Sequence, residues 1–151
     1  MYLSYVAIRV TNLDKSIDFY TKLFGLREVA RGDNSEIGGG IYVLLKDQKS
    51  GQKLELNWYP AGSQYNTPYS PGDGLDHVAF AVDDVTETIK ELSARGIEVV
   101  RIPSSLAEQP GLRPSGGKRK DRVAFVKDPD GNWIELYSGI GPIGTTIPDS
   151  Y

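Results

Sequence analysis

No cysteine occurs in the 151 residues, which removes disulfides, thiolate nucleophiles and cysteine-ligated zinc by count alone. Histidine is almost as scarce: His77 is the only one, so any chemistry that needs two histidines from one chain is excluded. There is no surplus of positive charge either. Seventeen Lys plus Arg against 20 Asp plus Glu leave a net charge of -3, which argues against a protein whose main business is coating nucleic acid or an anionic membrane. Long apolar runs are missing too. Nothing approaches the roughly 18 apolar residues of a membrane span, and the opening MYLSYVAIRV has neither the length nor the cleavage site of a signal peptide. The expectation is a soluble, cytoplasmic protein with no nucleic-acid or membrane partner. What remains, 39% hydrophobic and 25% charged residues, suits one ordinary globular domain or two closely paired modules.

A repeat organises the chain. Residues 5–25, YVAIRVTNLDKSIDFYTKLFG, run parallel to residues 77–96, HVAFAVDDVTETIKELSARG. Val6, Ala7, Val10 and Ile17 recur 72 positions later as Val78, Ala79, Val82 and Ile89. Each copy begins with strand-like alternation and then changes to helical spacing, through Leu13, Ile17, Tyr20 and Phe24 or through Val85, Ile89 and Leu92. Asn12 and Asp84 stand where helix N-caps are needed, the latter with Glu87 at capping-box spacing. Gly25 and Gly96 stand where a left-handed stop is expected. Short strands follow at 27–31 and 97–102, and two more close each half, at 41–46 and 53–59 in the first and at 122–127 and 132–137 in the second. The turn Asp128-Pro129-Asp130-Gly131 is suited to a hairpin. The chain therefore reads as βαβββ twice, an α+β fold of two paired modules forming a curved mixed sheet. The modules span 1–60 and 75–138 of a single domain over 1–138, with 61–74 as linker and 139–151 as tail.

Strand alternation sorts the polar residues. Val6, Ile8 and Val10 oppose Tyr5, Ala7 and Arg9; Val78, Phe80 and Val82 oppose His77, Ala79 and Ala81. In the last strand of each copy, Leu54 and Leu56 oppose Glu55 and Asn57, while Ile134 and Leu136 oppose Glu135 and Tyr137. Tyr5, Glu55, His77 and Glu135 thus stand at corresponding places on the faces turned away from the helices. A histidine and two carboxylates on one concave surface would suit a hard or borderline divalent ion. Taken one at a time, the same residues are ordinary: a hydrogen-bonded histidine beside Asp76 and two solvated glutamates.

The stretches YVAIRVTNLDKSIDFYTKLFGL, GLDHVAFAVDDV and VAFVKDPDGNWIELY resemble the vicinal oxygen chelate superfamily of glyoxalases, bleomycin-resistance proteins and dioxygenases, over nearly residues 3–138. Their wording is most similar to glyoxalase I, lactoylglutathione lyase. That resemblance implies one divalent ion (Zn, Ni, Co or Mn) on Glu55, His77, Glu135 and the first-strand position occupied by Tyr5. It implies a small-molecule hemithioacetal of methylglyoxal and a thiol as substrate, isomerised through an enediolate with Glu135 as base and Glu55 as its counterpart. Arg9 would hold a substrate carboxylate, and a homodimer is expected. Tyr5 departs from the family, which has His or Gln there, so a phenol would serve as a substrate contact or a reluctant ligand. The single histidine disfavours the relatives whose chemistry needs two. A different class stays open: a metal-free module that traps a planar ligand among Tyr5, Tyr42, Tyr59, Tyr65 and Tyr69. Arg113, Lys118, Arg119 and Lys120 are candidates to clamp an anionic substrate or to form a solvated basic loop.

Overall fold

The computed structural model describes residues 3–34, 38–68, 70–72, 74–101 and 123–138. The chain separates into two compact units, residues 1–75 with 128–131, and residues 76–127 with 132–151. Each is a four-stranded mixed sheet with a helical segment, in the order the repeat predicts.

The first unit contains β1 (Val6–Arg9), α1 (Leu13–Asp18), β2 (Arg27–Asn34), β3 (Gly40–Lys46) and β4 (Lys53–Trp58), with sheet order β1-β4-β3-β2. β1 runs parallel to β4 and the other neighbours are antiparallel. Val43, Leu45, Leu54 and Leu56, which share one sheet face, are buried together with Ile8, Val10, Phe19, Tyr20 and Leu26. Burying each such side chain is worth about 1.5–3 kcal/mol. Val6, by contrast, is exposed at the start of the strand. β2 is longer than the sequence predicts. Gly32, Asp33 and Asn34 read as turn residues, yet they pair with Tyr42, Ile41 and Gly40. At Gly32 a Cβ would sit 2.6 Å from the Tyr42 ring, so a larger residue there would require that ring to move. Val29 is the extra residue of a bulge between Glu28 and Ala30, which explains its exposure.

The first helix also departs from expectation. It is α-helical only to Asp18 and continues as a π-helical turn over Phe19–Leu23. The wider turn accompanies a cluster in which Phe19 meets Tyr20 edge-on at 5.1 Å and lies 5.2 Å from Phe24. The stop is as predicted: Gly25 has φ 71°, and the amides of Gly25 and Leu26 donate back to Thr21 and Tyr20.

The second unit contains β5 (His77–Ala81), α2 (Val85–Ala94), β6 (Val99–Arg101), β7 (Val123–Lys127) and β8 (Trp133–Tyr137), ordered β5-β8-β7-β6. Ala124, Val126, Ile134 and Leu136 form its buried sheet face, and Val85 and Leu92 are buried on α2. Asn12 Oδ1 accepts the Lys15 amide at 3.0 Å and Asp84 Oδ1 accepts the Glu87 amide at 3.0 Å, so both predicted caps form. Asp84→Ala is therefore expected to cost about 1 kcal/mol, read as a shift in the urea midpoint at constant m-value; an unchanged midpoint would show that the cap is immaterial. No helix among the described residues is long and apolar enough to cross a membrane.

Candidate functional site

The sheet registers bring out an equivalence that the sequence only outlines. In the first unit Ala7 pairs with Glu55, and in the second Ala79 pairs with Glu135. Each glutamate occupies the same step of a parallel strand pair, on the face opposite the buried leucines and isoleucine. The two carboxylates are therefore structural counterparts, not merely similar letters in two strands.

In the second unit the structure brings His77 and Glu135 together. His77 opens β5, opposite Trp133 on β8. Its Nε2 lies 2.8 Å from Glu135 Oε2, and its Nδ1 lies 2.7 Å from Asp76 Oδ2. Glu135 is 8% exposed, so its carboxylate needs a polar partner within the protein, and His77 supplies one. With Nδ1 held against Asp76, the Nε2 edge is turned toward the Glu135 carboxylate; this is the orientation that outer carboxylates impose on metal-binding histidines. Phe125 meets the His77 ring edge-on at 5.8 Å and Trp133 at 5.5 Å, giving the pair an aromatic flank.

This donor set fits a divalent cation. Bonds of about 2.1 Å at angles of about 90–110° place two ligand atoms about 3.0–3.4 Å apart, so the observed 2.8 Å separation needs only a small opening to admit a cation between the two donors. Among the described residues, no group of three or more His, Asp or Glu side chains suited to a metal is assembled within either unit.

In the first unit, Glu55 lies half-buried on β4 and its Oε1 accepts a hydrogen bond from Asn57 Nδ2 at 2.9 Å. Tyr5 lies just ahead of β1 and is 44% exposed. Arg9 ends β1, and its guanidinium donates to the Tyr65 carbonyl, to the Thr67 carbonyl at 3.1 Å and to Thr67 Oγ1 at 3.0 Å. It thereby ties the segment after β4 to the edge strand. Tyr59 and Tyr65 have ring centroids 5.3 Å apart, and Tyr42 covers Gly32. Tyr69, Arg113, Lys118, Arg119 and Lys120 lie outside the described residues.

Sequence reasoning placed Asp76 beside the histidine but gave it no part in the candidate site. The available signal was its position directly before the histidine, but an acidic neighbour at a strand start is too common to assign without the 2.7 Å contact. Asn57 was legible as a same-face neighbour of Glu55, though not as its hydrogen-bond donor.

Comparison with known proteins bears on family and fold. The family model for the Glyoxalase/Bleomycin resistance protein/Dioxygenase superfamily matches residues 2–136. A Vibrio cholerae protein named "Probable lactoylglutathione lyase" is 36% identical over 132 residues, covering 85% of this chain and 84% of that protein. Glyoxalase I of Saccharomyces cerevisiae is 30% identical over 157 residues, covering 89% of this chain and 44% of the yeast protein. Among solved structures, the trypanothione-dependent glyoxalase I of Leishmania major superposes with a TM-score of 0.66 at 28% identity, covering 91% of this chain and 87% of that one.

Proposed function

This chain belongs to the Glyoxalase/Bleomycin resistance protein/Dioxygenase superfamily, and we propose that within it the protein is a glyoxalase-I-like lyase acting on the hemithioacetal of a 2-oxoaldehyde and a thiol. The observation that carries this reading is the contact between His77 Nε2 and Glu135 Oε2 at 2.8 Å. It sets a nitrogen and an oxygen donor side by side on a strand pair, with the outer nitrogen of the histidine already held by Asp76. The relatives' names add support, since the Vibrio cholerae protein is named for lactoylglutathione and the Leishmania major enzyme for trypanothione.

His77 and Glu135 would hold a divalent ion, with Glu55 entering by its register equivalence to Glu135 and Tyr5 by its place in the repeat. When bound, such an ion supplies Lewis acidity that stabilises negative charge developing on the substrate oxygens. The rest of the chemistry belongs to the chain. Glu135 takes the proton from the carbon that bears sulfur and returns it to the neighbouring carbonyl carbon, while the hydroxyl proton passes from the first oxygen to the second, so the hemithioacetal becomes a 2-hydroxyacyl thioester with no net change in atoms or electrons. Asp76 fixes the imidazole orientation, and the buried setting of Glu135 keeps bulk water from competing for the carboxylate. Glu55 would be the second carboxylate, the counterpart of Glu135 by strand register.

A second reading has its own observation. The aromatic flank of Phe125 and Trp133 beside His77 also suits a binding module for a planar ligand. One assay separates the two. Purified protein supplied in turn with Zn, Ni, Co and Mn is offered methylglyoxal with glutathione or with trypanothione, and thioester formation is followed. Turnover dependent on one of these ions is expected; absence of thioester with every ion and both thiols would transfer the case to the binding module.

A further inference from the structure

The face of the first sheet that bears Glu55 carries a second feature. Cross-strand registers place Lys53 opposite Lys46 and Lys46 opposite Arg27, so three cations stand in one row across β4, β3 and β2. Directly opposed residues lie on the same face with Cβ atoms about 4.5–5.5 Å apart, a distance at which like charges destabilise a sheet. Lys46 and Lys53 are also half-buried, which weakens the screening that water would provide.

Among the described residues, no ion pair includes Arg27, Lys46 or Lys53. The carboxylates near these residues in sequence make their hydrogen bonds with other groups. Asp47 Oδ1 accepts the turn amides of Lys49 at 2.6 Å and Ser50 at 3.0 Å. Glu55 holds Asn57. Glu28 accepts two hydrogen bonds from Arg31, at 2.9 and 3.0 Å, and the guanidinium holds its carboxyl below the usual range.

We infer that Arg27, Lys46 and Lys53 form an anion subsite on the Glu55 face of the first sheet, built to take a carboxylate or phosphate group. Lys53 is two residues before Glu55 on the same strand, and therefore about 7 Å from it along the sheet. An anion held by the row sits one side-chain length from the carboxylate. The subsite stands on the strand registers and charges alone; it rests on the lyase reading only for the molecule that carries the anion, which would be a thiol adduct bearing an acidic group some 7 Å or so from its reacting carbons.

The test needs no turnover, so a failed lyase assay leaves it intact. The full chain at low ionic strength is titrated calorimetrically with inorganic phosphate and, separately, with glutarate, alongside the Lys46→Gln/Lys53→Gln double variant and Arg27→Gln. Saturable binding by the native chain is expected for at least one probe, weakened tenfold or more in the double variant, and the tighter probe identifies the anion. Thermal melts supply a second readout that the fold itself cannot mask. Lys46→Gln should melt higher than the native chain at low salt, and saturating phosphate should close the gap by stabilising the native chain. Equal affinity in native and double variant, no saturable binding of either probe, or a Lys46→Gln melt unchanged or lower at low salt would each overturn the subsite.

Discussion

Glu135→Gln should lower turnover of the hemithioacetal by about a thousandfold while leaving the fold in place. The magnitude is that of a positioned general base, for which losses of about 10²–10⁴ are usual. Gln keeps the shape of the side chain and can still hydrogen-bond His77, but it cannot accept a carbon-bound proton, and its neutral oxygen is a far poorer cation ligand. Stability should change little, because Ile134 and Leu136 on either side are fully buried against the core and the substitution leaves their packing untouched. The measurement is kcat alongside a thermal melt. Undiminished turnover with an unchanged melt would remove Glu135 from the role of base, whatever else the site does.

The largest expected loss of stability falls at a residue with no part in the chemistry. Asp128 begins the turn between β7 and β8, and residues 128–131 belong to the first compact unit, not to the strands they join. Its Oδ2 accepts the Tyr20 hydroxyl at 2.8 Å, and its Oδ1 accepts the Asp130 amide at 2.9 Å. Tyr20 is 0% exposed and Asp128 5%. Asp130 in turn accepts the Thr11 amide at 2.9 Å and the Thr11 hydroxyl, and takes the Ser16 hydroxyl at 3.3 Å. Asp128→Ala removes a charged acceptor from a buried hydroxyl and loosens the turn at once, which should cost about 2–4 kcal/mol. Tyr20→Phe, which removes the donor but keeps the ring, should cost about 1 kcal/mol. Chemical denaturation of both variants checks the pair; an Asp128→Ala midpoint no lower than that of Tyr20→Phe would deny the turn its anchoring role.

The contrast between these residues shows what a sequence can disclose. Asn12, Asp84, Gly25 and Gly96 act within one turn of their own position, so their caps and stops follow from local chemistry. The alternation of Leu54, Glu55 and Leu56, or of Ile134, Glu135 and Leu136, fixes which face is buried because the strand period leaves one alternative. Arg9 was legible as a polar strand residue, but its hydrogen bonds reach Tyr65 and Thr67, far along the chain. Tyr20 read as one more apolar position on a helix. Only tertiary contact with Asp128 and the aromatic cluster accounts for its setting in a widened helical turn. β2 was read short because Gly32-Asp33-Asn34 has turn composition, while pairing to β3 and the space Gly32 leaves for Tyr42 override that preference. The candidate site divides along the same line: Glu55, His77 and Glu135 emerge from the repeat, while Asp76, in sequence simply the residue beside the histidine, gains its role from the 2.7 Å contact.

Calorimetric titration of the full chain with Zn, Ni, Co and Mn, set against Glu135→Gln and His77→Ala, tests the central claim most directly. Saturable binding of at least one of these ions is expected, with affinity reduced by about tenfold to a hundredfold or more in each variant. Identical binding isotherms for the native chain and both variants, or no binding of any of the four ions, would contradict the assignment of His77 and Glu135 as a cation-binding pair.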